Sequence, residues 1–176
     1  MKKIWLLLFI MVKGLCMESS VAVKKDFSLY KSRRKELVDL IKQEHGSAQG
    51  GVLLWAGFEP AGHAFRQDSS FFYFTGITEP GLVLLIDLNG RTTLFVPQFQ
   101  GDRSQWLKEL ISISHAPAQW GVESIEPLGD ACPGYQLSPD ADFHTFKNVH
   151  AAVQQIIDKN GKIFMPCPGN EYAFGG

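Results

Sequence analysis

Leu82-Val83-Leu84-Leu85-Ile86-Asp87-Leu88-Asn89-Gly90-Arg91-Thr92-Thr93-Leu94-Phe95-Val96 is the stretch whose reading decides the fold. Two apolar, β-prone runs flank Asn89-Gly90, a pair that accepts the positive φ of a tight hairpin turn. The pattern predicts that Leu82–Leu88 pairs antiparallel with Arg91–Val96 and that Pro97, lacking an amide proton, ends the second strand. The first run is apolar throughout, as a strand covered on both faces would be. Val52-Leu53-Leu54-Trp55-Ala56 after Gly50-Gly51, and Lys162–Met165 before Pro166, read the same way. A weaker strand fits Val122–Ile125 among Pro117, Pro127, Pro133 and Pro139.

Helical spacing lies outside these runs. Phe27 to His45 places Leu29, Leu37, Leu40 and Ile41 among Lys, Arg and Glu, with His45-Gly46 as the stop. Asp142 to Asp158 places Phe143, Phe146, Val149, Val153, Ile156 and Ile157 on one side, ended by Asn160-Gly161. Asp102 to Ile111 predicts a short helix with Asp102 as N-cap and Trp106, Leu107, Leu110 and Ile111 as its apolar positions. Phe71 to Thr75 is aromatic and predicts another strand. The order of elements gives an α/β fold, a mixed sheet flanked by helices.

Composition bounds the function. The chain has 176 residues, 45% of them apolar and 20% charged, with a net charge of −1. That suits one globular domain with its own core and excludes a disordered chain, a collagen or a disulfide scaffold. Lys24-Lys25 and Arg33-Arg34-Lys35 are offset by Glu36 and Asp39, so no basic field gathers nucleic acid.

Lys2 and Lys3, the nine apolar residues Ile4 to Val12 and the small-x-small pattern Ser20-Val21-Ala22 read as a signal peptide over residues 1–22. Nine residues fall short of the roughly 20 that span a bilayer, so no permanent membrane span is expected. A cleaved signal makes the protein secreted or periplasmic; a true start at Met17 makes it cytoplasmic. Leu15 before Cys16 argues against a lipid anchor. Signal removal leaves Cys132 and Cys167, for which a disulfide and two thiols both stay open.

His45, His63, His115, His144 and His150 have no ligand spacing and read as surface or structural residues. GxSxG, Walker and GxGxxG patterns are absent, and Asp87-Leu88-Asn89-Gly90 does not continue into a calcium loop. Trp106 reads either as a core aromatic or as a hydrophobic ligand contact. Arg66, Asp68 and Glu79 read either as a salt-bridge set fixing a loop or as a polar substrate rim, with structural pairing preferred.

Phe65-Arg66-Gln67-Asp68-Ser69-Ser70-Phe71-Phe72-Tyr73-Phe74-Thr75-Gly76 is followed by Glu79-Pro80-Gly81 and Leu94-Phe95-Val96-Pro97, and preceded by Tyr30, Arg33 and Arg34 at the head of the first helix. These ordered blocks resemble the N-terminal domain of the Xaa-Pro aminopeptidases, the aminopeptidase P branch of the creatinase- and prolidase-like metallopeptidases. The resemblance implies a domain over residues 27–166, with 167–176 as a tail or the start of a linker. It makes Tyr30, Arg33, Arg34, Arg66, Gln67, Asp68, Tyr73, Gly76, Glu79 and Pro80 a structural signature, a charged turn set before an aromatic strand.

In that family the chemistry sits in a following pita-bread domain, where two Asp, one His and two Glu hold two divalent metals, typically manganese. That domain is absent from these 176 residues, so the resemblance implies no catalytic residue, metal ligand or cofactor here. It implies a role in assembly and in shaping the active-site entrance, with Trp106 as the entrance candidate. Relatives follow that tryptophan with Gly and Arg, whereas Leu107-Lys108-Glu109 follow Trp106. The implied partners are a second copy, a catalytic domain or a paralogue, with peptide substrates reached only through the parent enzyme. The alternative is a stand-alone binding or oligomerisation module derived from that domain.

Overall fold

The computed structural model describes residues 26–46, 49–58, 65–101, 111–134, 137 and 140–166. Helix α1 (Ser28–His45) leads to strand β1 (Gly50–Trp55), the short helix α2 (Ser69–Thr75), and strands β2 (Val83–Asp87) and β3 (Thr92–Val96). A 3-10 turn (Pro117–Trp120) precedes β4 (Ser124–Pro127), and a second (Phe143–Phe146) enters helix α3 (Lys147–Asp158) ahead of β5 (Lys162–Phe164).

The five strands form one sheet in the order β4-β3-β2-β1-β5. β2 runs antiparallel to β1 and β3, while the outer pairs β3–β4 and β1–β5 are parallel, so the sheet is mixed. The predicted hairpin forms, with Val83 opposite Phe95 and Ile86 opposite Thr92. The Gly90 amide closes its turn on the Asp87 carbonyl at 2.7 Å, and Gly90 adopts φ 91°.

Strand alternation divides the core into two layers. Val52, Leu54, Leu84, Ile86, Leu94 and Val96 share a cluster with Phe27 and Val38 of the α1 segment and Phe71 of α2. On the other face Val83, Leu85 and Phe95 pack with Leu53, Trp55, Phe146, Val149 and Ile156. Each fully buried Leu, Ile, Val or Phe contributes roughly 1.5–3 kcal/mol of transfer free energy, which makes these opposed faces the main source of stability. β5 joins the sheet after Asn160, which adopts φ 57°, and it pairs so closely with β1 that a Cβ on Gly50 would lie 2.3 Å from the Lys162 carbonyl oxygen.

The strand expected over Phe71 to Thr75 is instead the helix α2. Asp68 caps it by accepting from the Phe71 amide at 2.8 Å, and Gly76, at φ 65°, ends it by donating to the Phe72 carbonyl at 2.7 Å. Cap and stop outweigh the β preference of the aromatics, which is largely a preference for packing environment. The face of α1 also differs from expectation. Leu29 and Leu40 are 52% and 50% exposed, whereas Arg34 and Val38 are buried at 3% and 4%. On the Asp142–Asp158 segment Phe143 and Ile157 are exposed, leaving Val149 as its buried apolar residue, while Val153 and Ile156 are half-buried.

The expected helix over Asp102 to Ile111, apart from the buried Ile111, lies outside the described residues, as do the expected signal segment and Cys167. Among the described residues, no helix is long and apolar enough to cross a membrane.

Candidate functional site

The signature residues come from two distant segments and meet where α1 crosses α2. Arg33 donates through Nη1 to the Tyr73 carbonyl at 2.9 Å, and Arg34 through Nη1 to the Phe74 carbonyl at 2.7 Å. Carbonyls in the last turn of a helix have no partner within the helix, and they lie at its electronegative end. Two cations from α1 therefore complete the C-terminus of α2. Arg34 Nη2 also bonds the Gly121 carbonyl, tying in the segment before β4. Burial pushes the Arg34 guanidinium below its ordinary pKa while the Glu123 carboxylate pulls it back up. An arginine remains charged through such a shift, so both hydrogen bonds are charge-assisted. Arg33 also lies over the Tyr73 ring, 4.1 Å from its centroid.

Tyr30 fills the space beside the α2 stop. A Cβ on Gly76 would lie 2.1 Å from the Tyr30 ring, so both the positive φ and the packing require glycine. Gln67 holds the two ends of the turn together. Its Nε2 donates to the Ile77 and Glu79 carbonyls at 2.9 and 3.2 Å, and its Oε1 accepts from the Asp68 amide at 3.0 Å. The buried Glu79 carboxylate accepts from the Ile111 amide at 3.0 Å, and Pro80 sits half-buried in the following turn.

The preferred pairing of Arg66, Asp68 and Glu79 does not assemble. Arg66 is exposed and makes no ion pair among the described residues, while Asp68 and Glu79 each accept from a separate backbone amide. At Asp68 the helix N-cap amide takes the place of a cation. The sequence pattern also missed two contributors, Gly121 and Thr75. Thr75 Oγ1 donates to the Phe71 carbonyl at 2.7 Å and accepts from the Ile77 amide at 3.1 Å.

The geometry of this cluster is that of main-chain anchoring. His45, His144 and His150 are exposed, and His115 accepts from the Ser112 amide through Nδ1 at 3.2 Å. Among the described residues, no three His, Cys, Asp or Glu side chains converge to hold a metal ion. The donors among the described residues do not fit a two-metal centre. Cys132 is buried, and Trp106 lies outside the described residues.

Residues 30–133, a span beginning at Tyr30 and containing every residue of the clamp, match the model of the aminopeptidase P, N-terminal domain family. The chain belongs to this family. It is 27% identical over 112 residues to the Xaa-Pro dipeptidase of Homo sapiens, a match covering 59% of this chain and 23% of that protein. It is 32% identical over 79 residues to a protein of Ajellomyces dermatitidis named "Probable Xaa-Pro aminopeptidase", covering 44% of this chain and 14% of the relative. The fold is similar to that of Icp55 of Saccharomyces cerevisiae, at 16% identity and TM-score 0.54, covering 80% of this chain and 30% of that one. A low-pH form of Escherichia coli aminopeptidase P gives 21% identity and TM-score 0.51, covering 80% and 36%. The chain thus spans about a quarter of the length of the human relative and about a third of these solved chains.

Proposed function

We propose that this chain acts as the non-catalytic N-terminal domain of an Xaa-Pro-cleaving metallopeptidase, serving assembly and the entrance to an active site. The parent activity is release of an N-terminal residue that precedes proline. Its two divalent metals, manganese by family resemblance, belong to a following catalytic domain, and Trp106 is the candidate side chain at the entrance. The observation that carries this reading is the Arg33–Arg34 clamp, in which family-signature side chains anchor the domain's own main chain. A cleaved signal over residues 1–22 would place the protein outside the cytoplasm.

Leu29, Phe72 and Tyr73, the last stacked under Arg33, are large apolar side chains left 52%, 42% and 49% exposed. Such surface favours association, and it also suits the second reading, a stand-alone module that pairs with itself or with a full-length paralogue. The coding frame beyond the Gly176 codon tests the choice. Codons supplying the Asp, Asp, His, Glu, Glu metal set support the enzyme-domain reading, and an immediate stop favours the module.

A further inference from the structure

The second face of the sheet is not apolar throughout. Thr93 pairs with Ser124 and Phe95 with Glu126, so strand alternation sets Arg91, Thr93 and Phe95 on one face with Ser124 and Glu126 beside them. The Thr93 and Ser124 hydroxyls bond each other at 2.8 Å. Between these strands and α3 lies a cavity of about 550 Å³, floored by Leu85 and Phe95. That volume is within the roughly 300–1,000 Å³ of small-ligand sites.

Charge in this cavity is polarised along the strands. Asn148, at the start of α3, donates to the Pro127 carbonyl at 2.9 Å, which places the start of α3 near Glu126. Lys159 follows the far end of α3 and lines the cavity together with Arg91, beside the turn into β3. Arg91 and Glu126 are four residues apart in register, about 13 Å at ~3.3 Å per residue. Neither they nor Lys159 forms an ion pair among the described residues. Asp87 also lines the cationic end, with its Oδ1 already accepting from the Asn89 amide at 2.7 Å.

We infer that this cavity binds a short extended peptide, about three residues long, with both termini free. Its carboxylate faces Arg91 and Lys159, and its ammonium group faces Glu126. Three extended residues span about 10 Å, which leaves room for an ion pair at each end of the 13 Å interval. The side chains of Asn148, Gln155 and Thr93 supply polar partners for the peptide groups between. Asp87 and Glu126 balance the two cations, so the lining suits a zwitterion and has no surplus positive charge for a polyphosphate. This site goes beyond the scaffold role, and its failure would leave that role untouched.

Calorimetric titration of the full chain with triglycine tests the inference, using N-acetyl-triglycine, triglycine amide and the doubly blocked peptide as comparisons. Triglycine should bind saturably and the doubly blocked peptide should not. Arg91→Ala should weaken triglycine and triglycine with a blocked amine at least tenfold. Glu126→Gln should weaken triglycine and triglycine with a blocked carboxylate by a similar factor, while sparing the amine-blocked form. Both positions are exposed, and circular dichroism would verify the fold of each variant. No saturable binding of triglycine, equal binding of the doubly blocked peptide, or indifference to either variant would overturn the inference.

Discussion

Arg34 donates through Nη1 to the Phe74 carbonyl at 2.7 Å, linking two helices through residues forty apart in the chain. The same guanidinium reaches Gly121, so one side chain holds α1, α2 and the segment entering β4. Arg34→Met should leave two inner carbonyls without their donor. At about 1–3 kcal/mol for each such group, the expected loss is about 2–6 kcal/mol, read as a lower urea midpoint. Arg34→Lys should recover only part of it, because an ammonium lacks the planar fork that reaches both carbonyls. An unchanged midpoint in the Met variant would contradict the clamp.

Gly76→Ala should destabilise for two separable reasons. The αL backbone costs a side-chain-bearing residue about 1–2 kcal/mol, and the new methyl would enter the Tyr30 ring at 2.1 Å. Removing the ring with Tyr30→Ala should relieve the second cost and leave the first. A double-mutant cycle measured by denaturant unfolding should therefore show strong coupling. Simple additivity would show that the ring and the glycine do not depend on each other.

Parts of this architecture are legible in local chemistry and parts are not. Asn89-Gly90 between β-prone runs is sufficient to predict the β2–β3 hairpin, because turn geometry and register are local. The helix over 69–75 is not legible from periodicity, since seven residues make only two turns and its aromatics favour strands elsewhere. Asp68 and Gly76, the cap and stop, carried the missed signal. Arg34 is marked by the signature and by its place in the basic cluster Arg33-Arg34-Lys35, but its burial becomes meaningful only when the unpaired carbonyls of α2 are brought beside it. Family-signature spacing marked Tyr30, Arg33, Arg34, Arg66, Gln67, Asp68, Tyr73, Gly76, Glu79 and Pro80 as a group. Which atoms they bind depends on tertiary contacts between segments, and no one-dimensional spacing encodes those.

Asp68→Ala should cost about 1 kcal/mol through loss of the N-cap, whereas Asp68→Ser should retain most of the stability. Thermal unfolding of the two variants would measure the difference. Equal losses would contradict the capping role.

Asp26 accepts from the Ser28 amide and hydroxyl, each at 2.9 Å, and the amide bond followed by the hydroxyl bond holds its pKa below the ordinary 3.8. A carboxylate depressed on folding stabilises the protein above its unfolded pKa, and that contribution is lost as pH falls through the folded value. The stability difference between wild type and Asp26→Ala should thus be constant above about pH 5 and shrink toward pH 3. Denaturant unfolding across that range would show it; a difference that grows on acidification would contradict the assignment.

The most direct test of the central claim is turnover of an Xaa-Pro peptide by the purified 176-residue protein in the presence of manganese, followed by mass spectrometry. The scaffold account predicts that the peptide stays intact while the protein remains folded. Release of the residue before proline, at a rate that scales with protein concentration and is abolished by a chelator, would contradict it.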